Sequence, residues 1–333
     1  MERIAVIGGG AWGTALAAVV RRAGRHVRLW ALEAEVVESI NRDHENAAFL
    51  PGIQLDPLLW ATTELEEAVR SADAILLVPP AQHLRAVAAA LAPMIRPGMP
   101  VAICSKGIEQ GSCLTMSEVL AEVAPEAAIA VLSGPTLAPE VARGLPTGVT
   151  LACRDEAVAA DFVEAVSSRT FKAYAADDVI GAELGGAVKN VIAIGCGIGT
   201  GLRLGENARA TFITRGLAEM VRLARAKGGR ADTLMGLSGL GDLVLTCNAA
   251  SSRNASLGVA LGEGRLLGEI LGERRSVTEG VQTAESVVEL ARRLGVEMPI
   301  CQAVYAILHE GVPALDALES LLGRPTRPEL DFP

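Results

Sequence analysis

Short apolar runs alternate with helix-like segments along the first half of the chain. The runs are apolar or nearly so, which is typical of strands buried on both faces of a parallel sheet. The intervening segments, of which residues 14–22 and 84–91 are the clearest, repeat their apolar positions at helical spacing. This alternation predicts a doubly wound α/β sheet. Its predicted strands are residues 4–7, 27–30, 74–78, 101–103, 129–132 and 149–152.

The pattern changes near Asp177, after which helical periodicity replaces the strand-like runs. One helical face contains Ala208, Phe212, Leu217, Met220, Val221 and Ala224. A second contains Val281, Ala284, Val287, Val288, Ala291 and Leu294, and its helix is predicted to stop at Gly295. A chain of 333 residues usually forms two domains. We therefore predict an α/β domain over residues 1–178 and an all-helical domain over residues 179–333.

The charge and the cysteine content exclude several classes of partner. A net charge of −9 and an isoelectric point near 5.1 argue against nucleic acid and anionic membranes as main partners. The six cysteines, at positions 104, 113, 153, 196, 247 and 301, form no Cys-x-x-Cys pair, which predicts free buried thiols in a reducing compartment. The four histidines show no metal-ligand spacing. The first strand-like run begins at Arg3, so we expect no signal peptide and a cytoplasmic protein.

The apolar stretch at residues 179–202 is long enough to suggest a membrane span. It contains Glu183, Lys189 and seven glycines, however, and charged side chains inside a bilayer are costly. The sequence therefore predicts a buried, glycine-rich helix here and no integral membrane segment.

Lysine is scarce, with four lysines against twenty-six arginines. Lys106 follows an apolar run, and Lys189 lies inside the apolar stretch at residues 179–202. Arginine keeps its proton in proteins, whereas burial lowers the pKa of a lysine. Two lysines close together in an apolar pocket would lower each other's pKa further. The pair therefore indicates proton transfer, and both lysines are candidate catalytic residues.

A glycine-rich motif, Gly-Gly-Gly-Ala-Trp-Gly at residues 8–13, follows the first predicted strand and opens a helix. In a dinucleotide-binding βαβ unit the first glycine allows the tight turn, the second lets the backbone approach the pyrophosphate, and the third lets helix and strand pack closely. The helix N-terminus then offers free N–H groups to the anion. The alternative is a glycine-rich turn that binds nothing. The candidate cofactor residues are Gly8, Gly10, Ala11, Trp12 and Gly13.

The turn after the second predicted strand contains an acidic residue, Glu33, twenty positions beyond Gly13. A carboxylate there accepts hydrogen bonds from the ribose hydroxyls of NAD, whereas an arginine would bind the 2′-phosphate of NADP. Glu33 is therefore a further cofactor candidate. The alternative is that it caps or solvates the next helix.

Three later segments place polar residues in unusual settings. Residues 133–136, Ser-Gly-Pro-Thr, follow the fifth apolar run, where open α/β sheets bind ligands. Residues 236–243 are glycine-rich but follow no strand, so they predict a close helix contact that presents Asp242 to a site. Residues 251–254 group two hydroxyls, an arginine and an amide, a combination that matches a phosphate group. An ordinary turn and a solvated turn are the alternatives for the first and the last.

Together these segments resemble the bacterial-type NAD(P)-dependent glycerol-3-phosphate dehydrogenases almost from end to end. The fold that the resemblance implies is an N-terminal Rossmann-like doubly wound sheet followed by an all-α C-terminal domain. The motifs that carry the resemblance are residues 8–13, 105–109, 133–136, 183–191, 207–210, 239–243, 252–254 and 279–281.

The resemblance implies an enzyme that interconverts dihydroxyacetone phosphate and sn-glycerol 3-phosphate for glycerophospholipid synthesis, with NAD or NADP as cofactor. It implies that Lys189 is the general acid that protonates the carbonyl oxygen during hydride transfer. Lys106 would be the second lysine, which touches substrate and cofactor. The other substrate positions that it implies are Gly134, Thr136, Asp242, Ser252, Arg253 and Asn254. The cofactor positions are Trp12, Ala138, Arg253, Val277 and Glu279.

Several points stay open at this level. Leu32 stands where the family often has an arginine or a histidine, so the choice between NAD and NADP is undecided. A related reductase acting on a hydroxy acid or a ketopantoate-like substrate would not need the phosphate-type group at residues 252–254. A catalytically silent dinucleotide sensor would need neither lysine. Base rates favour a homodimer if the chain self-associates.

Overall fold

The computed structural model describes residues 1–273 and 278–325, and within them a single eight-stranded sheet. The strands are β1 Arg3–Ile7, β2 His26–Trp30, β3 Trp60–Thr62, β4 Ala74–Leu77, β5 Pro100–Ile103, β6 Ala128–Ser133, β7 Thr147–Cys153 and β8 Phe171–Ala176. Their order across the sheet is β3-β2-β1-β4-β5-β6-β7-β8. The strand order reverses between β1 and β4, and in open α/β sheets ligands bind at the carboxyl ends beside such a point.

All six predicted strands are present, but the sheet differs from the prediction in two respects. Two strands were not predicted: β3 has only three residues, and β8 alternates between buried and exposed positions. The prediction that every strand is parallel is wrong, because β7 runs antiparallel to β6. The connection between them contains only the five-residue helix Ala138–Ala142, which rises about 8 Å. A six-residue strand such as β6 spans about 20 Å, so this helix is too short to return the chain to the end of the sheet where β6 begins.

Seven helices accompany the strands. They are α1 Ala11–Arg22, α2 Ala34–Asp43, α3 Leu65–Val69, α4 Leu84–Leu91, α5 Met116–Val123, α6 Ala138–Ala142 and α7 Glu156–Val166. In α1 the eight consecutive residues 13–20 are buried. The first hydrophobic core joins this helix to the inner strands and to Phe162 of α7 and Phe171 of β8.

From Val179 onward the described chain is helical, as predicted. The helices are α8 Val179–Gly201, α9 Glu206–Ala226, α10 Ala231–Leu234, α11 Asp242–Asn248, α12 Arg253–Gly262, α13 Leu267–Gly272, α14 Glu279–Leu294, α15 Pro299–His309 and α16 Ala314–Leu322. The predicted end of α14 is confirmed: Gly295 takes up a left-handed conformation with φ of 66°. A short π-helical turn, Leu237–Gly241, precedes α11.

The helix α8 is the centre of the second hydrophobic core. It is long and apolar enough to cross a membrane, but 94% of its most apolar window is buried inside the protein. Two of its glycines allow a close helix contact. A Cβ at Gly197 would lie 2.1 Å from the Ala255 carbonyl oxygen, and one at Gly201 would lie 2.3 Å from that of Val259. The glycines therefore let α12 pack directly on the backbone of α8, which confirms a buried core helix.

The chain divides into two compact units. The first comprises residues 1–105 and 116–179, and the second comprises residues 106–115 together with the chain from Ile180 onward. The short segment 106–115 belongs to the second unit because Ile108 and Cys113 are buried in its hydrophobic core. The contacts of this segment are made with side chains far away along the chain, so its place in the second unit follows from tertiary packing.

Candidate active site

Both lysines singled out by the sequence contact one buried carboxylate in the second unit. Lys106 Nζ lies 2.6 Å from Asp242 Oδ2, and Lys189 Nζ lies 3.0 Å from Asp242 Oδ1. The side chains of the three residues are 13%, 9% and 1% exposed, respectively. A carboxylate so deeply buried needs paired charges, and the two ammonium groups supply them.

Close backbone packing brings Asp242 to Lys189. A Cβ on Gly185 of α8 would lie 2.4 Å from the Ser238 carbonyl oxygen, and one on Gly239 would lie 2.1 Å from that of Leu234. Only glycine fits at these two positions, so the π-helical turn rests on α8 one helical turn before Lys189. Asp242 is the first residue of α11, directly after that turn. The predicted glycine-mediated helix contact is present, and it places Asp242 against both lysines.

Thr246 completes the cluster and was not among the predicted site residues. Lys189 Nζ donates to Thr246 Oγ1 at 2.8 Å, and this hydroxyl donates to the backbone carbonyl of Asp242 at 2.7 Å. Thr246 follows Asp242 by four residues, so both side chains lie on the same face of α11. That spacing was the signal in the sequence that could have found it.

Burial and the neighbouring charges shift the pKa values of this cluster. Burial lowers the pKa of Lys189 and the charge of Lys106 lowers it further, while Asp242 raises it; the net direction is downward. Burial alone would raise the pKa of Asp242, but the two lysine charges outweigh that effect and hold it below its usual range. The cluster therefore contains a fixed carboxylate and a lysine that loses its proton more readily than a solvated one.

A second polar group lies on the same helix, α8, next to Lys189. Asn254 Nδ2 donates to Asn190 Oδ1 at 2.8 Å, and Asn254 Oδ1 accepts from the backbone N–H of Gly280 at 3.1 Å. A Cβ on Gly280 would lie 2.6 Å from Asn254 Oδ1, so the first turn of α14 packs against this amide. Asn190 was not among the predicted site residues, although it directly follows Lys189.

The remaining predicted substrate residues of this unit lie at the start of α12. Ser252 is buried and caps the helix by accepting from the backbone N–H of Ala255 at 3.2 Å. Arg253 is the first residue of α12 and is exposed, and Glu279 is the first residue of α14. Val277, a predicted cofactor residue, lies outside the described residues.

In the first unit the glycine motif forms the tight turn between β1 and α1 that the sequence predicted. Gly8 has φ of 131°, and a Cβ on Gly13 would lie 1.8 Å from the Gly8 carbonyl oxygen. A Cβ on Gly10, in contrast, would meet no atom within 4 Å. Ala11 opens α1, and the preceding Gly10 provides no side-chain cap. The turn is thus closely packed on its inner side and open above Gly10, with the helix N–H groups uncapped by a side chain.

These features fit a dinucleotide pyrophosphate, which needs an open backbone and uncapped N–H groups. The indole Nε1 of Trp12 is buried and has no hydrogen-bond partner among the described residues, so a bound molecule could satisfy it. The turn is held by Asn46, a fully buried residue that the sequence analysis missed. Its Nδ2 donates to the Gly9 carbonyl at 2.8 Å and to Thr14 Oγ1 at 2.7 Å.

Other predicted residues of this unit follow the carboxyl ends of its strands. Glu33 precedes α2 and makes no capping hydrogen bond with its side chain, and the neighbouring Leu32 is 75% exposed. Gly134 follows β6 with φ of 154°, and its carbonyl accepts a hydrogen bond from Thr136 Oγ1 at 3.2 Å. Ala138 is the first residue of α6. Within residues 1–273 and 278–325 no cluster of three His, Cys, Asp or Glu side chains could hold a metal.

The mostly parallel sheet with a glycine-rich turn at its first strand defines a Rossmann-type dinucleotide-binding protein with a helical second unit. Comparison with protein families narrows this class. The family described as NAD-dependent glycerol-3-phosphate dehydrogenase matches the chain twice, its N-terminal part over residues 3–159 and its C-terminal part over residues 178–319. The chain belongs to this family.

Individual relatives match over nearly the full length. The chain is 59% identical to a glycerol-3-phosphate dehydrogenase [NAD(P)+] of Rhodospirillum rubrum, covering 99% of this chain and 94% of that protein. The crystal structure of a glycerol-3-phosphate dehydrogenase from Coxiella burnetii has a TM-score of 0.93 and 41% identity, covering 97% of this chain and 99% of that one. A ketopantoate reductase from Ralstonia eutropha has a TM-score of 0.59 at 17% identity over 95% of this chain, which shows a shared fold alone.

Proposed function

We propose that this chain reduces dihydroxyacetone phosphate to sn-glycerol 3-phosphate with NADH or NADPH, and catalyses the reverse reaction. Family membership supports the activity. The observation that carries the mechanism is the buried carboxylate of Asp242 between the ammonium groups of Lys106 and Lys189. A ketone reductase must deliver a proton to an oxygen that becomes negative, and this cluster contains a buried lysine whose pKa is lowered.

Lys189 is the proposed proton donor. Its ammonium group has three N–H donors, and those toward Thr246 and Asp242 fix its direction. The third donor remains for the carbonyl oxygen of the substrate. A bound nicotinamide would supply the hydride for the carbonyl carbon. Lys189 gives its proton to the carbonyl oxygen and becomes a neutral amine. In the reverse direction the amine removes the proton from the C2 hydroxyl.

Lys106 and Asp242 keep the charges of the cluster balanced during this transfer. Before it, two ammonium groups and one carboxylate carry a net charge of +1; afterwards the remaining ion pair is neutral. The buried carboxylate of Asp242 therefore keeps a cationic partner throughout the transfer. An unpaired buried charge would be costly in free energy. The positive net charge before transfer also favours a developing oxyanion.

The phosphate of the substrate needs a binding site away from the reacting carbon. Arg253, Ser252 and Asn254 at the start of α12 form the proposed site, in which an arginine and a helix N-terminus favour an anion. Anchoring the phosphate orients the carbonyl group relative to Lys189. In the first unit, Gly134 and Thr136 are proposed to contact the substrate.

The cofactor is proposed to bind along the first unit, with its pyrophosphate at the open turn around Gly10. Gly8, Ala11, Trp12, Gly13 and Ala138 would line this site, and Glu33 would accept hydrogen bonds from the adenosine ribose. Lys106, Arg253 and Glu279 are the proposed cofactor contacts of the second unit. Glu33 beside Leu32 favours NADH, because no side chain at this turn offers a cation for a 2′-phosphate.

The acid role is tested by replacing Lys189 with alanine. We expect dihydroxyacetone phosphate to drive NADH oxidation by the wild type, and Lys189→Ala to lose at least about 1,000-fold in kcat with unchanged NADH affinity. Lys172→Ala, which removes an exposed lysine of β8, is the matched control. Turnover near the wild-type rate in Lys189→Ala would remove this residue from the acid role.

The phosphate site is tested by comparing dihydroxyacetone phosphate with unphosphorylated dihydroxyacetone. At saturating NADH, Arg253→Ala should raise the KM for dihydroxyacetone phosphate more than the KM for dihydroxyacetone, because only the phosphorylated substrate needs the anchor. An unchanged KM for dihydroxyacetone phosphate would contradict the assignment. Ketopantoate in the same assay tests the related reductase activity, and we expect no turnover with it.

We further propose that the protein works in the cytoplasm as a homodimer supplying glycerophospholipid synthesis, and that it consists of the two domains predicted from the sequence. Six free, buried cysteines support a reducing compartment. Light scattering of the purified protein during gel filtration measures the oligomeric state, and a mass near 34.5 kDa would contradict the dimer.

A further inference from the structure

The segment that carries Lys106 forms a closed turn on the surface of the second unit. Ile108 and Thr115 pair as an antiparallel bridge, and the backbone N–H of Glu109 donates to the Leu114 carbonyl at 2.9 Å. Ile108 is fully buried, so its packing fixes the beginning of this turn. Lys106 lies two residues before that point. The position of its ammonium group therefore depends on how firmly the turn is held against the helices.

Side chains of α14 form hydrogen bonds with residues 110–112 of the turn. Arg293 Nη1 donates to the Ser112 carbonyl at 2.8 Å, and Arg293 Nη2 donates to the Gly111 carbonyl at 2.9 Å. Its Nε donates to Glu289 at 2.9 Å, which fixes the plane of the guanidinium. One turn earlier on α14, Glu285 accepts from Gln110 Nε2 at 2.6 Å. Residues 285, 289 and 293 are spaced by four and lie on one face of the helix.

The neighbouring arginine has the same local partner but does not reach the turn. Arg292 donates to both carboxylate oxygens of Glu289, at 2.7 and 2.8 Å, and its side chain is 72% exposed. Arg293 shares that carboxylate, yet two of its donors are directed at backbone carbonyls about 180 positions earlier in the chain. An exposed ion pair on a helix surface contributes little to stability. A planar guanidinium group that donates to two backbone carbonyls, in contrast, fixes the position of the backbone that carries them.

We propose that Arg293 is a positioning residue of the active site, which clips the turn at residues 109–113 to α14 and thereby holds Lys106 against Asp242. This inference rests on the proposed function, in which Lys106 balances the charge of Asp242 and contacts substrate and cofactor. Within the described residues, the hydrogen bonds of Arg293 go to Gly111, Ser112 and Glu289, none of which is a proposed substrate or cofactor residue. Arg293 acts through the backbone that carries Lys106.

The helix α14 is well suited to this task because its other end contacts the second polar group. Gly280, in its first turn, donates its backbone N–H to Asn254, which is bonded to Asn190 beside Lys189. The buried face of α14, including Val287 and Leu290, packs in the second core. One rigid helix therefore sets both the amide pair next to Lys189 and the turn that carries Lys106.

Hydrogen exchange tests the contact without relying on activity. In Arg293→Ala we expect faster exchange of the backbone amides in residues 109–115, whose hydrogen bonds close the turn, and no change in α8. Arg292→Ala is the matched control, since it removes an arginine from the same carboxylate but no contact with the turn. Equal exchange of this segment in the wild type, Arg292→Ala and Arg293→Ala would overturn the proposal.

Steady-state kinetics test the action through Lys106. Arg293→Ala should lower kcat/KM for dihydroxyacetone phosphate by about 10- to 100-fold, because a small displacement of a catalytic group has an effect of that order. Arg293→Lys, which keeps the charge but cannot bind both carbonyls, should fall in between. Arg292→Ala should match the wild type.

A double-mutant cycle separates positioning from a general structural role. In a Lys106→Ala background, adding Arg293→Ala should change kcat/KM by less than about twofold, because the group being positioned is already absent. A loss that multiplies with that of Lys106→Ala would overturn the proposal. Full activity of Lys106→Ala would instead contradict the proposed function, and the exchange comparison would still decide whether Arg293 holds the turn.

Discussion

Replacing Asp242 by asparagine tests whether the buried ion-pair cluster determines both the stability and the pH response of the helical unit. The change removes one negative charge and keeps the shape of the side chain. Lys106 and Lys189 then keep their positive charges at low exposure without the carboxylate that both contact in the wild type. We expect the pKa of Lys189 to fall further, because burial and Lys106 both lower it and only the carboxylate opposes them strongly.

Proton release by the lysine limits the free energy that the variant can lose. For a lysine with an ordinary pKa of 10.5, release costs about 4.8 kcal/mol at pH 7 and about 2 kcal/mol at pH 9. Breaking a buried pair by removing one partner costs roughly 3–5 kcal/mol. The loss in unfolding free energy for Asp242→Asn should therefore be about 3–5 kcal/mol at pH 7 and at most about 2 kcal/mol at pH 9.

The sign follows from proton linkage. In folded Asp242→Asn the pKa of Lys189 lies well below its unfolded value. Between pH 7 and pH 9 the unfolded chain therefore binds more protons than the folded one. Stability relative to the wild type must then rise with pH. In the wild type, the lowered pKa of Asp242 contributes stability above its unfolded value of 3.8, which is lost as the pH falls through the folded value.

Urea unfolding followed by far-UV circular dichroism at pH 7 and pH 9 measures both quantities. Asp43→Asn is the matched control, because Asp43 pairs with Arg42 in solvent and its loss should leave unfolding unchanged. Wild-type stability of Asp242→Asn at pH 7 would refute the reasoning. An equal deficit at both pH values would refute the part that assigns the recovery to lysine deprotonation.

Three further predictions concern other parts of the chain. Burial raises the pKa of Glu219 to about 7, so the wild type should lose about 3 kcal/mol relative to Glu219→Gln between pH 4.5 and pH 8 in thermal unfolding. Gly10→Ala should fold normally yet weaken NADH binding at least tenfold in fluorescence titration, because its Cβ would enter the open space above the turn, whereas Gly268→Ala in α13 should not. Gly197→Ala should cost about 1–3 kcal/mol of unfolding free energy through overlap with a carbonyl of α12, and Gly199→Ala, whose Cβ meets only the side chains of Phe212 and Leu204, should cost less by calorimetry.

The strands that the sequence predicted are those whose identity depends on local pattern alone. The runs that became β1, β4 and β5 are apolar throughout because both faces of each strand are buried. The short β3 and the half-exposed β8 carry no such continuous run. The direction of β7 was mispredicted because direction depends on what the connection can span, which the strand's own residues do not encode.

The same distinction applies to the candidate site. The sequence alone identified the glycine turn, the unusual lysines and Asp242, because each requires a special residue type at its own position. The turn needs residues without a Cβ, the lysines can lose a proton, and Asp242 places a charge directly after a glycine-rich turn. Asn46 was missed because nothing in its immediate surroundings is unusual, and Thr246 because only its spacing of four residues from Asp242 distinguishes it. Their importance comes from partners 37 and 57 positions away in the chain.

Local chemistry thus determined the class of fold, the family and most of the residues of the proposed site. Only the tertiary structure decided that one carboxylate lies between two lysines 83 positions apart, and that α14 holds the turn bearing Lys106. The physical reason is that backbone propensity and apolar periodicity act over a few residues. Ion pairing and close helix contact depend on distances that exist only after the chain has packed.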